Sequence, residues 1–193
     1  MKVVLASASP RRLALLRQIG MEPVVHPADF DEVDGAGADA AQVVLANAVG
    51  KRDVVIAELG DDEVVIAADT VVVVDNVILG KPANEAAAKA MLASLSGRSH
   101  QVMTGVAVGW RGKRLARVCV TEVSFRQLAE QEIAAYVATG EPLDKAGAYG
   151  IQGRGAVLVD EINGCYNNVV GLPLSLLYRL LKELGAIGVE GIH

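Results

Sequence analysis

Val3-Val4-Leu5-Ala6-Ser7-Ala8-Ser9-Pro10-Arg11-Arg12 places a strand directly before a helix. The first four residues are apolar throughout, as a short strand covered on both faces requires. From Pro10 the pattern turns helical, with Leu13, Leu16 and Ile19 on one face and a stop at Gly20. Ser9 suits the N-cap, and Pro10 fits the first helical position, where its missing N–H would be an orphan anyway. Gly20 fits the C-terminal end. Strand, tight turn, helix N-terminus and two adjacent guanidinium groups make a site for an anion such as phosphate. Free N–H groups and the helix dipole favour negative charge there, and arginine binds phosphate oxygens through parallel hydrogen bonds. The same pattern also describes an ordinary capped helix with two solvated arginines.

The composition agrees with a sheet covered by helices. The 193 residues suffice for one domain spanning 1–193, or for two closely joined lobes around one core. Apolar residues make up 52% of the chain but aromatic ones only 4%, which favours a parallel or mixed sheet over a nucleic-acid module lined with stacking rings. The net charge of −5 argues against binding DNA or RNA, so any polyanionic substrate needs locally concentrated positive charge or a divalent cation. No apolar run approaches the roughly 20 residues that cross a bilayer, and the N-terminus does not read as a secretory signal. Cys119 and Cys165 have no metal-ligand spacing, so a reducing cytoplasm is the expected location.

Further along, 29–39 reads as an acidic loop and Ala40 to Leu59 as helix, with Gly50 a weak point inside it. Val64 to Val74 reads as a central strand, and Asn84 caps a helix that runs to Leu95. Val102 to Val108 and Leu115 to Phe125 pair across a turn near Trp110, followed by a helix over Glu130 to Thr139. Asn163-Gly164 predicts a hairpin between strands at Ala156 to Val159 and Tyr166 to Val170. Pro173 opens a last amphipathic helix through Leu177, Leu180, Leu181 and Leu184. The order is not a strict βαβ alternation, so a mixed sheet flanked by helices fits best.

Within the central strand, Asp69 stands out. An ionised carboxylate in an apolar strand costs several kcal/mol unless it is paired, hydrogen-bonded or metal-bound. Accepting backbone N–H groups at a bulge is a purely structural alternative. Asp75-Asn76 fits a two-residue hairpin that pairs Val74 with Val77 and, continued, Thr70 with Lys81. In an unbroken strand Asp69 and Thr70 face opposite sides, so convergence of Asp69 with Lys81 calls for a bulge or local twist. Gly80-Lys81-Pro82 is not a Walker A loop, since the upstream glycine and the following Ser or Thr are missing. Lys81 is therefore a phosphate point charge or a surface residue, and Lys51 a weaker candidate of the same kind. The glycines between Gly147 and Gly155 let backbone approach a planar ligand, and Gln152 offers a donor and an acceptor for a base edge; a plain surface loop has the same look. His26, His100 and His193 are scattered, with no Ser-His-Asp or Cys-His arrangement to support acyl-enzyme chemistry.

Taken together these residues resemble the Maf family of nucleoside triphosphate pyrophosphatases, over nearly the whole chain. The resemblance rests on Ser7 to Arg12, Ala68-Asp69-Thr70, Gly80-Lys81-Pro82, Leu95 to His100, and Asp144-Lys145-Ala146-Gly147-Ala148-Tyr149-Gly150-Ile151-Gln152-Gly153, in the family's order. The last block looks like the branch acting on dTTP and UTP, with the 7-methyl-GTP branch as the alternative. The resemblance implies an elongated α/β fold with a mixed sheet and two lobes around a central cleft, related to the inosine triphosphate pyrophosphatases, and a homodimer. It also implies Asp69 as proton acceptor, Arg11, Thr70 and Gln152 in substrate choice, and Arg12, Lys51 and Lys81 around the phosphates. Ser7 and Ser9 add hydroxyl donors at the helix entrance. A Mg²⁺ or Mn²⁺ ion is expected on Asp69 with Glu32, or its neighbour Asp31, from the acidic loop. The competing reading from another class is a nucleotide-binding regulator of septum formation that does not cleave its ligand.

Overall fold

The computed structural model describes residues 2–33, 35 and 37–187; His193 lies outside them. Strands β1 (Val3–Leu5), β2 (Val24–Val25), β3 (Val64–Val74), β4 (Val77–Leu79), β5 (Ser99–Trp110), β6 (Lys113–Phe125) and β7 (Val159–Asn163) form one sheet. Helices are α1 (Pro10–Gln18), α2 (Ala40–Leu59), α3 (Glu85–Leu95), α4 (Glu130–Val137), α5 (Tyr166–Val170) and α6 (Leu174–Leu184), with short 3₁₀ turns at Glu141–Asp144, Ala146–Ala148 and Arg154–Leu158. The order across the sheet is β2-β1-β3-β5-β6-β7, and β4 pairs with β3. β1 runs parallel to β2 and β3, while the other pairs are antiparallel. The sheet is mixed and flanked by helices, as expected.

Side-chain alternation along β3 explains how it is covered. Val64, Ile66, Ala68, Val72 and Val74 join the large core cluster with Leu16 of α1, Leu92 of α3 and Leu177 of α6. Val65, Ala67, Val71 and Val73 belong instead to two smaller clusters with Val55 and Val44 of α2. Successive strand residues point to opposite faces, so Asp69 falls in the series facing α2 and Thr70 in the other. Close approach of α2 depends on Gly105, the partner of Asp69 in the ladder: a Cβ there would lie 2.2 Å from the Val44 carbonyl oxygen.

α2 is one continuous helix, and Gly50 is kept inside it because the Phe30 ring fills the space a side chain would need, 2.3 Å from the Cβ position. The Asp75-Asn76 turn forms as read, both residues at positive φ, and pairs Val74 with Val77. The β3–β4 ladder ends at Val72–Leu79, however, so Thr70 and Lys81 are not ladder partners.

The hairpin at Asn163-Gly164 does not form. Arg154–Leu158 is a 3₁₀ turn, Val159–Asn163 pairs with β6, and Tyr166–Val170 is helix α5. Thr121 on β6 accepts from the Cys165 N–H at 3.0 Å and donates to its carbonyl at 3.2 Å, which pins the chain after the turn to the face of the sheet. The buried Asn168 side chain then donates to Val102 O and Thr121 Oγ1. These polar anchors lie in other strands, and they override the turn signal.

Candidate active site

On one edge β3 is paired with β1 as far as Ile66 and with β4 from Val72 onward. Between these ladders Ala67 to Val71 has no strand partner on that edge among the described residues. A cavity of about 1400 Å³ opens there. Because the edge is open, side chains on both faces of β3 reach the same space. Asp69 and Thr70 therefore share one cavity without a bulge: the β3–β5 register is unbroken from Val65 to Val73. Ser7, Ser9, Arg11, Arg12, Glu32, Lys51, Lys81 and Gln152 line this cavity as well, so these residues from separate segments of the chain meet in one place.

Asp69 is 7% exposed and fully partnered. Lys51 Nζ donates to Oδ1 at 2.8 Å, and Asn47 Nδ2 donates to Oδ2 at 3.1 Å. Asn47 and Lys51 are one helical turn apart on α2, which places both on the face toward the sheet. Lys51 also meets Glu32 Oε1 at 2.5 Å, so two carboxylates converge on one ammonium. Asp31 is exposed and does not line the cavity, which separates it from Glu32. Arg52 points the other way, donating to Asp53 and to the Leu115 carbonyl.

On the opposite face Arg12 is gripped by acceptors. Nε donates to Gly171 O at 2.9 Å, Nη1 to Ser7 Oγ at 3.1 Å and Nη2 to Thr70 Oγ1 at 3.1 Å. Burial pulls its pKa below the usual value, partly offset by Asp69. Thr70 lies 3.0 Å from Thr104 Oγ1, and Thr104 donates to the Asn168 carbonyl at 3.2 Å. The two threonines are ladder partners, so a polar chain runs from Arg12 through adjacent strands into α5. Ser9 caps α1 as expected, its Oγ accepting from the Arg12 N–H. Arg11 pairs with Asp144 at 3.1 Å across the cavity mouth. Lys81 is exposed and lines the cavity from the segment after β4.

The segment carrying Gln152 is held from behind. Glu141 accepts from Tyr136 OH at 2.9 Å, from the Arg154 N–H at 2.9 Å and from the Gly155 N–H at 3.2 Å, while Tyr136 OH accepts from the Gly150 N–H. Cβ atoms at Gly147, Gly150, Gly153 and Gly155 would strike Val72, Lys145, Glu141 and Tyr136 respectively. These glycines serve close packing inside the protein, and Gly150 and Gly153 also line the cavity. Tyr149 lines the cavity and bonds His100 Nε2 at 2.8 Å, within an edge-to-face cluster completed by Phe125. Burial pushes the His100 pKa down to about 4 and the Tyr149 phenol up.

The residues fit a hard divalent cation. Glu32 and Asp69 already meet on one positive charge, and Mg²⁺ is usually carried by one or two carboxylates plus substrate phosphates and water. No cluster of three His, Cys, Asp or Glu side chains occurs among the described residues, so substrate oxygens and water have to complete any such site. No helix among the described residues is long and apolar enough to cross a membrane.

Several contributors were not legible in the sequence. Asn47 is a single amide in the apolar run Val43 to Val49, a signal that the helical pattern passes over. Thr104 looks like an ordinary strand threonine, and the Gly171 carbonyl has no side-chain signature at all.

The sequence profile of the family described as Maf-like protein matches residues 2–184. The chain belongs to the Maf family. It is 48% identical over 192 residues to a dTTP/UTP pyrophosphatase of Bacillus cereus (strain AH820), covering 100% of this chain and 98% of that protein. A second relative, a dTTP/UTP pyrophosphatase of Bacillus thuringiensis subsp. konkukian (strain 97-27), is also 48% identical, with the same coverage. Among solved structures, a HAM1 protein from Coxiella burnetii superposes with TM-score 0.56 at 18% identity, over 95% of this chain and 99% of that one. The Staphylococcus aureus Ham1 protein gives 0.55 at 17% identity, with the same coverage. At that identity the likeness establishes a shared α/β fold.

Proposed function

We propose that this Maf-family chain hydrolyses nucleoside triphosphates, dTTP and UTP foremost, to the monophosphate and pyrophosphate. The observation that carries this reading is one cavity holding Asp69 among Lys51, Arg12, Arg11 and Lys81. Relatives of nearly identical length are named for the dTTP/UTP activity. We place the enzyme in the cytoplasm as a homodimer of single-domain subunits.

Water attacks the α-phosphorus, the bond from that phosphorus to the bridging oxygen breaks, and pyrophosphate departs. Asp69 accepts the proton of the attacking water. Arg12, held rigid by Ser7, Thr70 and Gly171, offers its remaining N–H groups to phosphate oxygens, and preorganised donors of this kind contribute roughly 3–4 kcal/mol of barrier lowering. Arg11 leaves Asp144 for the phosphates, while Lys51 and Lys81 add positive charge. The N-terminus of α1, with Ser7 and Ser9, supplies further donors. Gln152 reads the base edge from its braced loop. Asp69 and Glu32 would hold Mg²⁺ or Mn²⁺, which when bound neutralises phosphate oxygens and acidifies water.

The test is pyrophosphate release from dTTP, UTP, dCTP, ATP, GTP and 7-methyl-GTP, with and without divalent metal, for the wild type and Asp69→Asn. Metal-dependent release led by dTTP and UTP is expected, with at least ~100-fold lower turnover in the folded variant. Release led by 7-methyl-GTP would move the chain to the sister branch. No release from any triphosphate would make it a binding protein.

A further inference from the structure

We propose that Asn47 is the positioning residue of the carboxylate centre, joining Asp69 and the Glu32 segment into one cation-binding unit; this rests on the reading of Asp69 and Glu32 above. Asn47 sits on α2 between the apolar residues Val43, Val44 and Ala48, and is 3% exposed. A buried amide costs free energy unless both its ends are paired. Here both are. Nδ2 donates to Asp69 Oδ2 at 3.1 Å, and Oδ1 accepts from the Val33 N–H at 2.8 Å. The amide has only one workable orientation, because the carboxylate only accepts and the peptide N–H only donates.

The two bonds divide the work of the site. With Oδ2 bonded to Asn47 and Oδ1 to Lys51, the plane of the Asp69 carboxylate is held from both sides. Val33 supplies the other end. Its N–H belongs to the peptide that follows Glu32, so anchoring that peptide fixes the backbone from which the Glu32 carboxylate reaches inward. Apolar packing does little there, since Val33 is 52% exposed and Glu32 is also exposed. Glu32 and Asp69 come from segments 37 residues apart in the chain, and Asn47 ties one to the other. Its register comes from packing, because α2 approaches the sheet over Gly105, the ladder partner of Asp69. Asn47 acts through the two carboxylates, so its loss should weaken cation binding and leave nucleotide affinity at saturating metal almost unchanged.

The experiment measures Mn²⁺ binding to the full chain without nucleotide, by electron paramagnetic resonance of the free ion. Wild type, Asn47→Leu and Asp69→Asn are compared. Leucine keeps the branched shape, is somewhat larger, and pairs with neither partner. Asn47→Ser, too short to reach either group, takes its place if the leucine variant does not fold. The expected result is a roughly 10–100-fold weaker Mn²⁺ affinity in the Asn47 variant, the usual cost of removing an orienting partner of a metal ligand. The Mn²⁺ concentration for half-maximal dTTP hydrolysis should rise by the same factor, with KM for dTTP at saturating Mn²⁺ within twofold of wild type. A merely structural role would lower the melting temperature without this separation. An Asn47 variant that binds Mn²⁺ within twofold of wild type overturns the proposal while Asp69→Asn still loses the ion. If wild type does not bind Mn²⁺, or Asp69→Asn binds it as wild type does, the carboxylate site itself is wrong and the proposal falls with it.

Discussion

Adding one methyl group at Gly105 should dismantle the site from a distance. The Cβ of Gly105→Ala would lie 2.2 Å from Val44 O, 2.6 Å from Val44 C and 2.9 Å from Leu45 N, all backbone atoms of α2. Ordinary contact begins at 3.4 Å, so helix and sheet must separate by about 1.2 Å. A rotamer change cannot relieve a clash with backbone, and overpacking of this kind costs about 1–3 kcal/mol. At about 2 kcal/mol, a chain of this size should melt roughly 4–8 °C lower. The same separation would stretch the Lys51–Asp69 bond from 2.8 Å to about 4 Å and lengthen the Asn47 bond alike. A misplacement of about 1 Å at a reacting group costs up to about 100-fold in rate. Gly109→Ala is the control, on the same strand against the same helix. The atoms nearest its Cβ would be side-chain atoms of Ile56, Arg114 and Arg52, none of them backbone, and these can move aside. Melting by calorimetry and dTTP turnover by pyrophosphate release should therefore separate the two variants. A Gly105→Ala protein within 0.5 kcal/mol of wild-type stability, on the order of measurement error, and within about twofold in turnover would refute the idea that this contact sets the site.

Gln152, which lines the cavity, and His100, bonded to the lining residue Tyr149, give two further outcomes. Gln152→Ala should lower the preference for dTTP over purine triphosphates by about tenfold, the worth of one lost specific hydrogen bond, while inhibition by pyrophosphate stays unchanged. An equal loss for every nucleotide in that kcat/KM panel would remove Gln152 from base reading. His100 is neutral in the fold, with its pKa pushed down from 6.5 to about 4, whereas the unfolded chain takes up the proton below about 6.5. Stability should therefore fall as pH drops from about 6.5 to about 4, by up to about 3 kcal/mol from this group. His100→Gln, which does not titrate, should flatten that slope in urea melts taken at successive pH values; an unchanged slope would contradict the assignment.

Much of the chemistry was legible because it resides in local residue choices. Ser9-Pro10 and Gly20 bracket α1 by capping and φ preference, and Asp75-Asn76 turns the chain back through a geometry that two residues decide. Asp69 announced itself by being charged among valines and alanines, and burial without a partner is too costly to be idle. Lys51 was harder to read, because a helical lysine looks alike whether it faces water or a carboxylate. The Asn163-Gly164 hairpin failed for a related reason: Thr121 and Asn168 hold that segment through contacts across the sheet, and turn preference is weak beside buried hydrogen bonds.

By itself, then, the sequence determined most of the helices, the central strand and the Asp75-Asn76 turn, and that a carboxylate, several cations and a glutamine belong to one family pattern. Only the tertiary structure decided that these groups meet. Strand alternation sends Asp69 and Thr70 to opposite faces, and they share a cavity because β1 and β4 leave a gap along β3 between them. Which amide braces Asp69, and which acidic residue faces Lys51, depends on how closely α2 can lie on Gly105. Helix-to-sheet distance is a property of packed surfaces far apart in the chain, so no local pattern of residues records it.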